Sequence, residues 1–279
     1  MSAEAADPRE RFAALARLPD AKLDLARAAL WIAAEACPGL DVERQLAKLD
    51  ALAAAAAPRL GEGASDEERA ERLLRFLCLE QGFTGNEKAY DDPRNSYLNQ
   101  VLDRRTGIPI TLSLVLLEVA WRLGIPLRGV SFPGHFLVKL DGPPLRLLDP
   151  FFGRLVEVRE CRARLRAALG PDARFDPERH LCAVTPREIL VRILGNLKQI
   201  HLRARDFGSA LACCERILLL MPASAIELRD RGLVYERLEC FAAAARDFER
   251  FLRQAPDDET APAIRARLRA LRARPYRLH

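Results

Sequence analysis

Aromatic side chains supply only 6% of this 279-residue chain, and methionine and tryptophan occur twice each. With rings so scarce and alanine and leucine dominant, the composition favours helix over sheet. Lysine is nearly absent: it occurs only at 22, 48, 88, 139 and 198, and arginine carries the rest of the basic charge. No apolar run reaches the roughly 18 residues that a membrane-spanning helix needs. Glu4, Asp7 and Glu10 give the N-terminal segment the wrong charge for a secretory leader. A cytoplasmic protein without membrane contact is therefore expected. The seven cysteines (37, 78, 161, 182, 213, 214, 240) show no CxxC spacing and no cysteine–histidine zinc pattern. Their odd number argues for reduced thiols, and neither a metal nor an organic cofactor is expected.

What is present reads as a globular chain, 49% hydrophobic and 30% charged, long enough for one large domain or two smaller ones. "RFAALARL", "KLDLARAALWIAAEA" and "VERQLAKLDALAAAAAPRL" repeat apolar residues at three and four, the period of amphipathic helices. "SDEERAERLLRFL" opens with acids suited to a helix N-terminus. Asp92-Pro93 predicts a helix running to Arg105 and ending at Gly107. "IPITLSLVLLEVAWRL" is apolar on most faces, so it predicts a buried helix starting at Pro109 and leaving at Gly124. The period then changes to two, and "PLRGVSF", "HFLVKL" and "LRLLDPFF" read as short strands, the last two joined at "DGPP".

From about Thr185 the chain repeats itself. Pro222 and Pro256 lie 34 residues apart, and that offset aligns Leu194 with Leu228, His201 with Tyr235, Ala210 with Ala244, and Cys214 with Phe248. This is the spacing of tetratricopeptide helix pairs, and it makes His201 a packing residue. The terminal "IRARLRALRARPYRLH" contains no acid. Without aromatic interleaving or a nucleic-acid motif it reads as the solvated face of a capping helix, so nucleic acid is not an expected partner.

One histidine needs a separate explanation. "FPGHFLVKL" sets His135 among core-type residues, and the next strand carries Asp149 in "RLLDPF". A hairpin centred on Gly142 places the two directly opposite, about 4.5–5.5 Å apart at Cβ. At that separation a carboxylate can hold one imidazole nitrogen and fix its tautomer.

The stretch "DDPRNSYLNQVLDRRTGIPITLSLVLLEVAWRLGIPLRGVSFPGHFLVKL" and the "LDP" strand resemble the transglutaminase-like, papain-related fold. With the repeats, the chain is similar to bacterial transglutaminase-like proteins of the SirB/SirC type over about residues 70 to 275. The resemblance implies an α+β, mostly helical architecture. A helical region (1–60) precedes a transglutaminase-like domain (61–160), a linker (161–185), and two tetratricopeptide repeats with a capping helix (186–279) expected to pack on the first domain. It also implies a cysteine nucleophile at the start of a helix, a strand histidine as base and an aspartate that orients it. His135 and Asp149 match the last two. The nucleophile position falls at about Pro109, and no cysteine lies between Cys78 and Cys161. The nearest hydroxyls are Thr111 and Ser113, and Cys78 would have to fold back from upstream. Asn95 and Ser96 are expected either to line the cleft or to satisfy first-turn helix amides. Arg104 and Arg105 are expected to complement a helix C-terminus. Three readings follow: a non-catalytic or weakly catalytic scaffold that takes a protein or peptide in the repeat groove; a hydrolase or acyltransferase using His135, Asp149 and Ser113 or Thr111; and a His135 that is a core or surface residue unrelated to Asp149.

Overall fold

The computed structural model describes residues 7–273. It divides between Ile193 and Leu194 into two compact units. The first begins with α1 (Pro8–Ala16), α2 (Leu25–Ala36), α3 (Val42–Ala56) and α4 (Asp66–Arg75). Each opens on a side-chain cap: Asp7, Asp24 and Asp41 accept from backbone N–H groups, and Ser65 and Glu68 cap one another's amides. A wide-turn helical segment, Phe76–Glu80, follows and carries Cys78.

The centre of this unit is α6 (Pro109–Arg122), buried without interruption from Pro109 to Ala120. Its sequence has no polar face to turn outward, so other elements must surround it; α2, α3, α4 and α5 (Leu98–Arg104) do so. Its one acid, Glu118, accepts from the Ala26 N–H at 3.0 Å and from Arg122 at 2.6 Å, tying α6 to the start of α2. Burial pushes the Glu118 carboxyl up despite the Arg122 guanidinium.

Against α6 lies an antiparallel sheet in the order β6-β5-β4-β3-β7, from β3 (Leu127–Val130), β4 (Leu137–Leu140), β5 (Leu147–Asp149), β6 (Arg154–Val156) and β7 (Ala183–Val184). Two short strands, β1 (Thr84–Gly85) and β2 (Thr106–Gly107), pair separately in parallel.

Three expectations are corrected here. The hairpin register is shifted: Val138 faces Leu148 and Lys139 faces Leu147, which centres the turn on Pro143, not Gly142. The two prolines have no N–H to close a tight turn, and the loop is correspondingly wider. His135 therefore precedes β4 instead of standing in it. The helix expected over 93 to 105 is broken: Pro93–Asn95 is a single tight turn, Tyr97 is extended, and α5 ends at Arg104, capped by Arg105 in the left-handed conformation (φ 54°). Gly107 is not its cap; a Cβ there would stand 2.8 Å from Thr111 Oγ1. Residues 161–185 are not bare connection. They complete α7 (Val158–Leu169) and add α8 (Pro177–His180) and β7.

The second unit begins within α9 (Pro186–Arg203) and continues through α10 (Phe207–Leu220), α11 (Ala225–Arg237), α12 (Phe241–Gln254) and α13 (Ala261–Arg272). The 34-residue repeat is exact in its geometry: α10 and α12 start and end 34 apart, and so do the left-handed residues Arg205 and Glu239. Leu194 and Leu228, Ala210 and Ala244, and Cys214 and Phe248 are all fully buried. His201 packs within the first repeat and pairs with Asp206 at 3.1 Å. Through Ala261, Ile264, Leu268 and Leu271, α13 closes the core formed by Phe248 and Phe251. The last six residues of the arginine-rich tail, 274–279, lie outside the described residues.

The helix crossing at Gly232 predicts an asymmetry. A Cβ there would stand 2.6 Å from the Phe248 ring, whereas Gly195 has open space around it. Gly232→Ala should cost about 1–3 kcal/mol in urea unfolding, and Gly195→Ala should be neutral or gain up to about 1 kcal/mol. Equal effects would contradict this packing.

Candidate functional site

Asp149 ends β5 with its side chain fully buried. A buried carboxylate needs partners, and three converge on it. His135 Nε2 lies 3.0 Å from both oxygens, Arg164 donates to Oδ2 at 2.8 Å, and the Phe151 N–H donates to Oδ1 at 3.2 Å. Burial pushes the Asp149 carboxyl up, but the hydrogen bonds and charges of His135 and Arg164 outweigh it and hold the group below the ordinary aspartate range.

Each partner arrives from a different element. His135 comes from the loop between β3 and β4, and that loop is pinned by Arg192 of α9. Arg192 donates to the His135 carbonyl at 2.7 Å, to the Phe132 carbonyl at 3.2 Å, and to Ser131 Oγ. Arg164 comes from α7, whose Cys161 and Leu165 sit in a core with Phe132, Leu137 and Leu147. The site's wall is aromatic. Phe152 stacks on the His135 ring at 6.0 Å and 16°, while Phe151 meets it edge-on at 6.0 Å and 89°. Arg164 lies over the Phe152 ring at 5.5 Å. Phe151 packs so tightly on Gly85 that a Cβ there would stand 2.5 Å from its ring.

The sequence-predicted residues separate into two groups. His135 and Asp149 meet, despite the register shift. The others do not join them. Pro109 is the buried first residue of α6. The Thr111 hydroxyl donates to the Asn95 carbonyl at 2.6 Å and receives the Ile108 N–H at 3.2 Å, so it is a helix cap. Ser113 is fully buried, and its Oγ has no hydrogen-bond partner among the described residues. Asn95 neither lines a cleft nor caps a helix. Its Nδ2 donates to the Ala89 carbonyl at 2.7 Å, and its Oδ1 accepts from Asn86 at 3.2 Å and, weakly, from Arg104 at 3.5 Å, so it fastens the preceding loop. Ser96 Oγ is buried and likewise unpartnered among the described residues. Arg105 donates to the Gln81 carbonyl.

Cys78 does fold back. Its Sγ lies 3.7 Å from the Pro150 carbonyl, and a Cβ on Gly153 would touch it. Burial, reinforced by the Asp149 charge, pushes this thiol up to about 11, away from the thiolate a nucleophile requires. Arg164 and Arg192 were missed at the level of sequence. Arg164 lies in the stretch expected to be a linker, where the amphipathic run "VRECRARLRAAL" was the available signal. Among the described residues no group of three or more His, Cys, Asp or Glu side chains is placed to hold a metal, and no helix is long and apolar enough to cross a membrane.

A mostly helical α+β unit built on a buried helix, with a His–Asp pair at the end of β5 and helical repeats after it, defines the class: a transglutaminase-like domain joined to tetratricopeptide repeats. The family model of the transglutaminase-like superfamily matches residues 43–195, and that of the tetratricopeptide repeat matches 197–269. The chain belongs to the transglutaminase-like superfamily. It is similar to the UPF0162 protein of Xylella fastidiosa strain 9a5c, 39% identical over 266 residues, covering 91% of this chain and 92% of that protein. It is also similar to a UPF0162 protein of Pseudomonas aeruginosa (39%; 88% and 89% covered) and to Protein SirB1 of Salmonella typhimurium (30%; 83% and 87%).

The depressed Asp149 carboxyl predicts a pH dependence. A group whose folded value lies below its unfolded one stabilises fully above the ordinary aspartate value of about 3.9. That contribution is lost as pH falls through the folded value. Asp149→Asn should therefore lower the melting temperature at neutral pH, and lose less than the parent as pH is taken below about 4. Parallel melting curves across that range would contradict the pairing.

Proposed function

We propose that this chain acts through protein–protein interaction, as a scaffold or regulatory protein whose transglutaminase-like domain performs no acyl transfer. The observation that carries this reading is the state of the hydroxyls and thiol around the pair: Thr111 is spent on caps, Ser113 is sealed in the core, and the Cys78 thiol is raised to about 11. A histidine base works only on a proton within hydrogen-bond reach. Among the described residues no hydroxyl or thiol is hydrogen-bonded to His135, whose Nε2 is occupied by Asp149. A second consideration points the same way. Arg164 shares the Asp149 carboxylate, so the charge that would strengthen the base is divided with a guanidinium. A buried histidine satisfied by a carboxylate needs no reaction to explain it.

Tetratricopeptide repeats stack into concave surfaces that take peptides or helices, which supports a peptide-binding role for the region after residue 186. Seven free thiols fit work in a reducing cytoplasm.

The test is reactivity. At pH 8, iodoacetamide should label the exposed Cys182 and Cys240 well before Cys78, read by peptide mass spectrometry. The purified chain should turn over neither p-nitrophenyl acetate nor a glutamine peptide with an amine acceptor above the level of His135→Ala. Preferential labelling of Cys78, or turnover that His135→Ala abolishes while the fold survives, overturns the reading in favour of a hydrolase or acyltransferase.

A further inference from the structure

A second feature of the first unit lies away from the His–Asp pair. Residues of α1, α2 and the start of α3 line a half-open surface cavity of about 440 Å³: Arg11, Ala14, Leu15, Arg27, Trp31 and Glu43. That volume is within the range of small-molecule sites. Five of these six residues precede the segment matched by the superfamily model, and Glu43 is its first residue.

The lining follows from helical spacing. Arg11 and Leu15 stand four apart on α1, and Arg27 and Trp31 stand four apart on α2, so each pair shares a face. Phe12, fully buried, fixes α1 on its partner. The charges are unequally occupied. Arg27 is engaged by Asp24 at 3.3 Å and by both oxygens of Glu43, and its guanidinium holds the Glu43 carboxyl below the usual range. Arg27 and Glu43 therefore neutralise one another. Arg11 has no ion-pair or hydrogen-bond partner for its guanidinium among the described residues, and the Trp31 indole N–H has no acceptor there either. The cavity thus presents one uncompensated cation and two unspent donors beside an indole ring and the Leu15 and Ala14 side chains.

We propose that this cavity binds a small organic monoanion, a carboxylate carried on a flat apolar body. The carboxylate would take charge-assisted hydrogen bonds from Arg11 and the indole N–H. The apolar body would lie against Trp31 and Leu15, displacing water from their surface. With Arg27 and Glu43 paired, Arg11 is left as a single uncompensated charge, which matches one negative charge on the ligand.

The experiment uses benzoate as probe and the full chain in a Trp121→Phe background, so that Trp31 is the only indole. Benzoate should produce a saturable change in fluorescence and a matching calorimetric heat. Arg11→Gln should weaken binding about tenfold, the worth of one charge-assisted hydrogen bond. Neutral benzyl alcohol and ring-free acetate should each bind about tenfold more weakly than benzoate. Arg11 is exposed and unpaired among the described residues, so its replacement should leave the circular dichroism spectrum and melting temperature unchanged. No saturable signal up to ~10 mM benzoate overturns the proposal. Equal affinity in Arg11→Gln, or equal binding of benzyl alcohol or acetate, overturns it as well.

Discussion

The carboxylate of Asp149 is the point at which the first unit is joined. It stands at the end of a three-residue strand, fully buried, and an ionised carboxylate left alone there would cost several kcal/mol. Three donors remove that penalty: the imidazole of the β3–β4 loop, a guanidinium from α7, and the first free amide after β5. The loop is therefore drawn against the strand end, and the face of α7 is fixed over the sheet. The aromatic pair Phe151–Phe152 closes over the junction, with ring centroids 4.9 Å apart in a T-shaped arrangement. Arg192 continues the constraint outward by tying the same loop to α9. Removing the carboxylate would release three elements at once.

The same arrangement supports the proposed loss of acyl transfer. A catalytic imidazole needs one nitrogen held and the other facing a labile proton. Here one nitrogen is held, but the ring is lined by Phe151 and Phe152. Pro109 at the start of α6 supplies neither an N–H nor a reactive side chain. The nearby thiol of Cys78 sits in the low-dielectric space behind the Asp149–Gly153 turn, where a second negative charge is disfavoured. Asp149 stays ionised because its donors outweigh burial, whereas burial and the Asp149 charge together raise the Cys78 thiol.

Much of this was legible in the sequence because the signals were periodic. Helices α1 to α4, the buried α6 and the 34-residue repeat follow from spacing, caps and prolines, and they lie where those features put them. The pairing of His135 with Asp149 was also readable, though from an incorrect register. The side chains meet because the loop before β4 brings His135 to the end of β5, with its Nε2 3.0 Å from both Asp149 oxygens. What could not be read was anything that depends on long-range assembly. Arg164 lies 15 residues beyond the aspartate it serves, and the amphipathic run that carries it does not say which carboxylate it meets. Gly107 resembles a helix cap but serves as the space into which the Thr111 hydroxyl fits. Asn95 has the identity of a capping residue and the role of a loop fastener, a distinction made only by where Asn86 and Ala89 come to rest.

The central claim is that His135 is held as part of the fold, and the urea unfolding free energy of His135→Ala tests it most directly. Stripping one partner from a buried carboxylate should lower stability by about 2 kcal/mol or more. A variant as stable as the parent, or more stable, is the outcome expected of a residue kept for chemistry. That result would contradict the account.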